Sequence, residues 1–289
     1  MDNPNGGMGG KTVLVTGGTS GIGKATAVAM AAMGADVVVT GRDPERGGRA
    51  VEEIRAESTG GSVELILADL AVQSEVRRLA EDFRERHDRL DVLVNNAGLV
   101  QSTRTETPDG IETTLAVNHL APFLLTNLLL DLLKKSAPSR VVTVSSEAQR
   151  WGSMDFDDLQ SRRRYSGFPV YGMTKLANIM FTYELAERLE GSGVTATCVH
   201  PGAVNTRFGT NNGGPATLLF RAFKPFMRTP EQGADTVIWL ASSPDVEDVT
   251  GRYYSDRKPL EPKKIAGDPD ARRRLWEESE RLTGLKVTA

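Results

Sequence analysis

The chain has 289 residues, 39% of them hydrophobic and 25% charged, with a formal net charge of −3. That is ample material for a core and argues against disorder, and the near-neutral balance removes the electrostatic reason to expect nucleic acid as a partner. A lone cysteine, Cys198, excludes an internal disulfide, and His87, His119 and His200 lie scattered without ligand spacing, so no metal site is expected.

Residues 1–10 are glycine-rich, lack the basic and apolar regions of a signal peptide, and read as a flexible tail. From Lys11 on, short β-branched runs alternate with longer helical patterns, which is the signature of βαβ units. Strands are expected near 12–16, 36–40, 62–67, 91–95, 140–145, 194–199 and 251–254, and helices near 21–34, 43–57, 74–87, 109–134, 170–190, 230–242 and 269–283. Runs such as Val37-Val38-Val39 are apolar on both faces, as in a parallel sheet covered by helices on each side. The expectation is an α/β fold with a doubly wound Rossmann sheet of seven strands, a single domain over 11–289 with additions at 147–168 and 207–228. The most apolar stretch, 115–133, is interrupted by Asn118, His119, Pro122, Asn127 and Asp131 and falls short of a membrane span, so a cytoplasmic protein is expected.

The first strand runs into Gly17-Gly18-Thr19-Ser20-Gly21-Ile22-Gly23-Lys24, followed by a helix start. A glycine turn there lets backbone N–H groups and the positive end of a helix dipole approach a pyrophosphate. The end of the second strand reads Thr40-Gly41-Arg42-Asp43, with no carboxylate at position 41 to hold a ribose hydroxyl. Arg42 can pair with a 2′-phosphate through its planar fork and Lys24 can add charge, which favours NADP(H) over NAD. The alternative is that Arg42 belongs to a solvated loop and Asp43 caps the next helix. Further on, Tyr171 and Lys175 stand four apart in a helical pattern and so share a face. A phenol of pKa about 10 is a poor proton shuttle unless a neighbouring cation lowers it, and Lys175 is expected to do so.

With Asp69-Leu70, Asn95-Asn96-Ala97-Gly98, Asn118, Ser145-Ser146, Tyr171-x-x-x-Lys175 and Pro201-Gly202 in that order, the chain resembles the short-chain dehydrogenase/reductase family from about Lys11 to Leu282. Val117-Asn118-His119-Leu120, Lys175-Leu176-Ala177-Asn178 and Tyr253-Tyr254-Ser255-Asp256 look like its retinol dehydrogenase branch. The resemblance implies Tyr171 as proton donor in reduction and base in oxidation, Lys175 on the nicotinamide ribose, Ser146 rather than Ser145 on the carbonyl oxygen, and Asn118 holding a water. It implies cofactor contacts from Gly17, Thr19, Ser20, Gly21, Ile22, Gly23 and Arg42, with Asp69 on the adenine beside Leu70. Asn95 would brace the cofactor-side loop, Ala97 and Gly98 pack on the nicotinamide ribose, and Pro201, Gly202, Val204 and Thr206 line the nicotinamide and phosphates. A homodimer would form by pairing helices 109–134 and 170–190 across a two-fold axis.

Ser146 and Tyr171 stand about twice as far apart in the chain as in many members of that family. The insert carries Trp151, Met154, Phe156, Tyr165 and Phe168, and the segment from Phe208 to Arg228 carries Phe220, Phe223 and Phe226. Together they suggest an apolar lid and a hydrophobic small-molecule substrate. The leading reading is a reductase or dehydrogenase acting on a ketone or aldehyde and its alcohol. A catalytically silent cofactor sensor, and a dehydratase or epimerase on the same fold, are the alternatives.

Overall fold

A computed structural model describes residues 7–204 and 227–286. In chain order the elements are β1 (Thr12–Val15), α1 (Gly21–Ala32), β2 (Asp36–Gly41), α2 (Pro44–Ala56), β3 (Val63–Leu67), α3 (Gln73–Arg86) and β4 (Val92–Asn95). Then come α4 (Thr113–Leu115), α5 (Ala121–Leu128), α6 (Leu130–Lys135), β5 (Ser139–Val144), α7 (Gly167–Arg188), β6 (Val194–Val199), α8 (Pro230–Ser242), β7 (Arg252–Ser255), β8 (Lys258–Pro259) and α9 (Pro269–Thr283). Among the described residues the strands form one eight-stranded sheet in the order β3-β2-β1-β4-β5-β6-β7-β8, parallel except for β8. The eighth strand was not expected, since two residues ending in proline carry no strand periodicity.

Alternation along each strand feeds two cores. Val13, Val15, Val37 and Val39 pack with α1, α2 and α8, whereas Leu14, Val38, Leu93 and Val141 pack with α3, α5 and α6. The order reverses between β1 and β4, which opens a crevice at the carboxyl ends of those strands, where α/β sheets bind ligands.

The helix expected at 109–134 is broken. Pro108-Asp109-Gly110 turns first, with Gly110 at φ +72, and the helix begins only at Thr113, where the Glu112 carboxylate accepts from Thr114 and Leu115 N–H. A π-turn over Ala116–Leu120 precedes α5. Pro122 has no N–H to return to the Asn118 carbonyl, so ordinary α-helical pairing fails at that point. The first ten residues are also not all loose: Met8 is buried and its N–H bonds Met33 O, while residues 1–6 and most of 207–228 lie outside the described residues.

The outer face of α7 is filled from within the chain, being buried without a break from Val170 to Thr182. Trp276 of α9 stacks on Phe181 and meets Phe123 edge-on, Arg188 lies 4.2 Å over its ring, and Arg272 pairs with Glu184 and Glu187. The middle of α7 is thus covered by α9 of the same chain, while Phe168, Pro169, Glu187 and Arg188 at its ends stay exposed. Trp276→Ala should lower stability by about 3–5 kcal/mol, because little around that ring can collapse into the cavity, as urea unfolding would show.

Candidate active site

The cofactor side of the crevice is shaped by main chain. Gly17 sits at φ +65, and a Cβ there would lie 3.1 Å from Ala97 Cα; one at Gly23 would lie 2.4 Å from Asn96 Nδ2. Two loops thus meet closely, with only the Asn96 amide between them. Ser20 begins α1 without a side-chain cap, and the first turn carries no acidic residue, which leaves helix N–H groups for an anion. Ile22 and Val204 both pack near Gly233, and Gly202 sits at φ +80 after a buried Pro201. Thr206 lies outside the described residues.

At the end of β2 a Cβ on Gly41 would lie 2.7 Å from Thr19 Cγ2, so a side chain there would require the Thr19 methyl to turn aside. Arg42 is exposed and, among the described residues, pairs with no carboxylate. Asp43 caps α2 by accepting from Arg46 N–H at 3.0 Å, and Lys24 pairs with Glu53. Asp69 Oδ1 accepts from Ala71 N–H at 3.0 Å, and Leu70 is partly buried on the first core.

Asn95 does not brace the loop as expected. Its Nδ2 donates to Thr126 of α5 at 2.9 Å, while the neighbouring Asn96 donates to Thr16 O at 2.8 Å and to Gly17 O. Thr16 Oγ1 completes the brace by accepting from the Asn96 and Ala97 N–H groups. The doublet itself was visible in the sequence, but two adjacent residues point to opposite sides of a strand end and only the fold says which is which.

Tyr171 and Lys175 are both buried on one face of α7. Lys175 Nζ lies 5.7 Å from the Tyr171 ring centroid and donates to Val144 O at 2.9 Å. Burial pushes the phenol up to about 12, against a hydrogen bond with Ser146 that lowers it, and burial pushes the ammonium down to about 8. The expected lowering of Tyr171 by Lys175 is therefore absent in the chain alone: desolvation outweighs the distant charge. At neutral pH the phenol keeps its proton, the state that a donor requires.

The two serines separate cleanly. Ser145 is buried and donates to Lys175 O at 2.7 Å, which ties α7 to β5. Ser146 accepts from Ala148 N–H at 3.2 Å, capping a short 3₁₀ turn over Glu147–Trp151, and its hydroxyl faces Tyr171. Asn118 Oδ1 accepts from Leu99 N–H, and its Nδ2 donates to Leu99 O and to Thr174 Oγ1, which in turn donates to Tyr171 O. Its amide thus fixes the loop after β4 to the turn that bears the tyrosine. A Cβ at Gly98 would lie 3.3 Å from Lys175 Nζ and 3.4 Å from Asn118 Oδ1, so that glycine leaves room for the ammonium.

Beside this set, Trp151 and Phe168 are 60% and 54% exposed, with ring centroids 5.6 Å apart, and Phe168 lies 6.5 Å from the Tyr171 ring. The insert that carries them is anchored. Gly152 and Gly172 touch main chain to main chain, since a Cβ on Gly152 would lie 2.4 Å from Gly172 C and one on Gly172 2.4 Å from Ala148 O. The sequence reading passed over this pair, although a glycine inside a helix, next to Tyr171, is itself a sign of close approach.

A family model described as short chain dehydrogenase matches residues 11–214. Retinol dehydrogenase 14 of Homo sapiens is 45% identical over 96% of this chain and 88% of its own. A protein of Streptomyces sp. (strain C5), provisionally named daunorubicin C-13 ketoreductase DnrU, is 45% identical over 97% of this chain and 95% of its own. The solved RhlG/NADP active-site complex of Pseudomonas aeruginosa superposes with a TM-score of 0.70 at 29% identity, covering 87% of this chain and 96% of that one.

Alanine at an exposed helix position normally gains about 1 kcal/mol over glycine. Gly172→Ala should do the reverse, lowering the melting temperature and, by displacing Ser146 from Tyr171, cutting kcat by about 10–100-fold.

Proposed function

The chain belongs to the short-chain dehydrogenase family of oxidoreductases, and on that premise we propose that it reduces a bulky, apolar ketone or aldehyde to the alcohol with NADPH, and can run the reverse. The observation that carries this reading is the buried, protonated Tyr171 between Ser146 and Lys175, opening towards exposed aromatic rings. NADPH would supply the hydride that goes to the carbonyl carbon. Ser146 then holds the carbonyl oxygen by a hydrogen bond, and as negative charge grows there Tyr171 gives up its phenolic proton to it. Lys175, fixed by Val144 O, offers its remaining protons towards the ribose side of the crevice and stabilises the phenolate left behind.

Binding falls to Gly17, Thr19, Ser20, Gly21, Ile22, Gly23 and the Ala97-Gly98 loop for the phosphates and ribose, to Asp69 and Leu70 for the adenine, and to Pro201, Gly202 and Val204 for the nicotinamide. Arg42 takes the 2′-phosphate; what supports this is its exposure beside Gly41, a position that carries no acid. The apolar substrate is supported by Trp151 and Phe168, and by relatives whose names refer to retinol and to a daunorubicin ketone, both ring-bearing molecules. A cytoplasmic location belongs to the same reading. It is consistent with a single, buried Cys198 whose thiol burial pushes up to about 12, and no helix among the described residues is long and apolar enough to cross a membrane.

NADPH oxidation should be faster with fused-ring or polyene carbonyls than with small polar ones, and Tyr171→Phe should cut kcat by about 10²–10⁴-fold while still binding NADPH. Turnover confined to small polar carbonyls would remove the substrate class, and a fully active phenylalanine variant would remove the mechanism. Arg42→Ala should raise the Michaelis constant for NADPH roughly 10–100-fold, the loss expected for a charged hydrogen bond, with little change for NADH. Equal changes for both would sink the NADP assignment.

A further inference from the structure

His200 follows β6 directly and stands beside Ser145, which follows β5, because Val144 and Val199 pair in register; Ser146 and Glu147 come next along that edge. The two ring nitrogens of His200 face different ways. Nδ1 accepts from Gly202 N–H at 3.1 Å, closing a small ring of the kind asparagine makes in an Asx turn. Nε2 lies 3.4 Å from Glu147 Oε2, on the residue after Ser146. A nitrogen that accepts from a backbone N–H carries no proton, so the neutral tautomer is fixed with its hydrogen on Nε2, towards the carboxylate.

We propose that His200 is a positioning residue: as the neutral Nε2–H tautomer it holds the Pro201–Gly202 turn against the Ser146 side of the crevice, and protonation of Nδ1 releases that turn. The inference rests on the reading of that turn as cofactor-binding.

Among the described residues, four charged groups face the ring. Glu147 and Arg150 face it from the 3₁₀ turn, Asp256 from the β7–β8 turn, and Arg228 from the strand-like bridge to Val204, while the Tyr253 ring of β7 lies 6.0 Å away. Arg228 is itself committed, pairing with Asp256, and its guanidinium is what a Cβ on Gly202 would strike at 2.9 Å. The turn is therefore gripped from two sides, and among the described residues only the His200 grip can titrate near neutrality. Burial lowers the ring's affinity for a proton, with Glu147 opposing. A depressed histidine contributes its hold above the unfolded value of about 6.5 and loses it as pH falls through the lower folded value.

Two replacements separate the nitrogens. His200→Asn keeps an acceptor where Nδ1 stands and cannot protonate, whereas His200→Gln keeps a donor near Glu147 and loses the acceptor. The imidazole nitrogen spectrum is readable because the chain has three histidines. At pH above neutrality His200 should show an unprotonated Nδ1, and the Gly202 amide should shift with the same midpoint as the ring. Calorimetric binding of NADP⁺ should weaken on acidification roughly two- to tenfold more in the wild type than in His200→Asn, the worth of one hydrogen bond, and should be weak at every pH in His200→Gln. An Nδ1–H tautomer, a Gly202 amide that ignores the ring, or parallel acid losses in wild type and His200→Asn would each overturn the proposal. A protein that binds no NADP⁺ at any pH would remove the cofactor reading, while the two spectral readouts would still decide the role of His200.

Discussion

Everything at the site is arranged around one buried ammonium. Taking Lys175 out of water is costly unless its hydrogens find acceptors, and the carboxyl end of β5 supplies one in Val144 O, shared with Asn178 Nδ2. The helix that carries the lysine is locked to the same strand by Ser145, through Lys175 O. On the opposite side the chain withdraws, because Gly98 leaves the space that any side chain would take. A cation placed by a strand end, rather than by a carboxylate, keeps its charge uncompensated. That is the arrangement that can respond to negative charge arising on a neighbouring phenol.

The same burial acts on both partners in opposite senses, raising Tyr171 and lowering Lys175. The phenol keeps its proton, while the ammonium holds its own less firmly than it would in water.

Much of this was legible in the residues. The βα alternation, the glycine turn and the Tyr171–Lys175 spacing are local patterns, and local patterns survive folding. What the chain did not disclose depends on distance between segments. Asn95 and Asn96 exchange roles because strand pleat, invisible in a doublet, decides which faces Thr16. The helix over 109–134 is apolar enough to look continuous, yet Gly110 and Pro122 alter its start and its pairing. The Tyr171 shift takes its sign from burial, which the spacing of a tyrosine and a lysine does not reveal. The enclosure of α7 by α9 was out of reach for the same reason: an amphipathic helix at the end of a chain does not say which surface it will cover.

The contact between Gly152 and Gly172 changes the meaning of the long separation between Ser146 and Tyr171. Where two backbones are clasped, the stretch between them is tied at its base, so its length is taken up away from that contact. Its far end is pinned as well, with Tyr165 bonded to Glu112 and Gln101 O, and Arg104 to Gln160 O. Closing a longer loop costs only about 0.6 kcal/mol for each doubling. The stretch 153–166 can therefore lengthen at little cost in chain entropy but cannot change freely in composition: Leu159 is buried with Met173 and Leu176 of α7, and Met154, Phe156 and Tyr165 pack on the same core, so a replacement there reaches the helix that carries Tyr171.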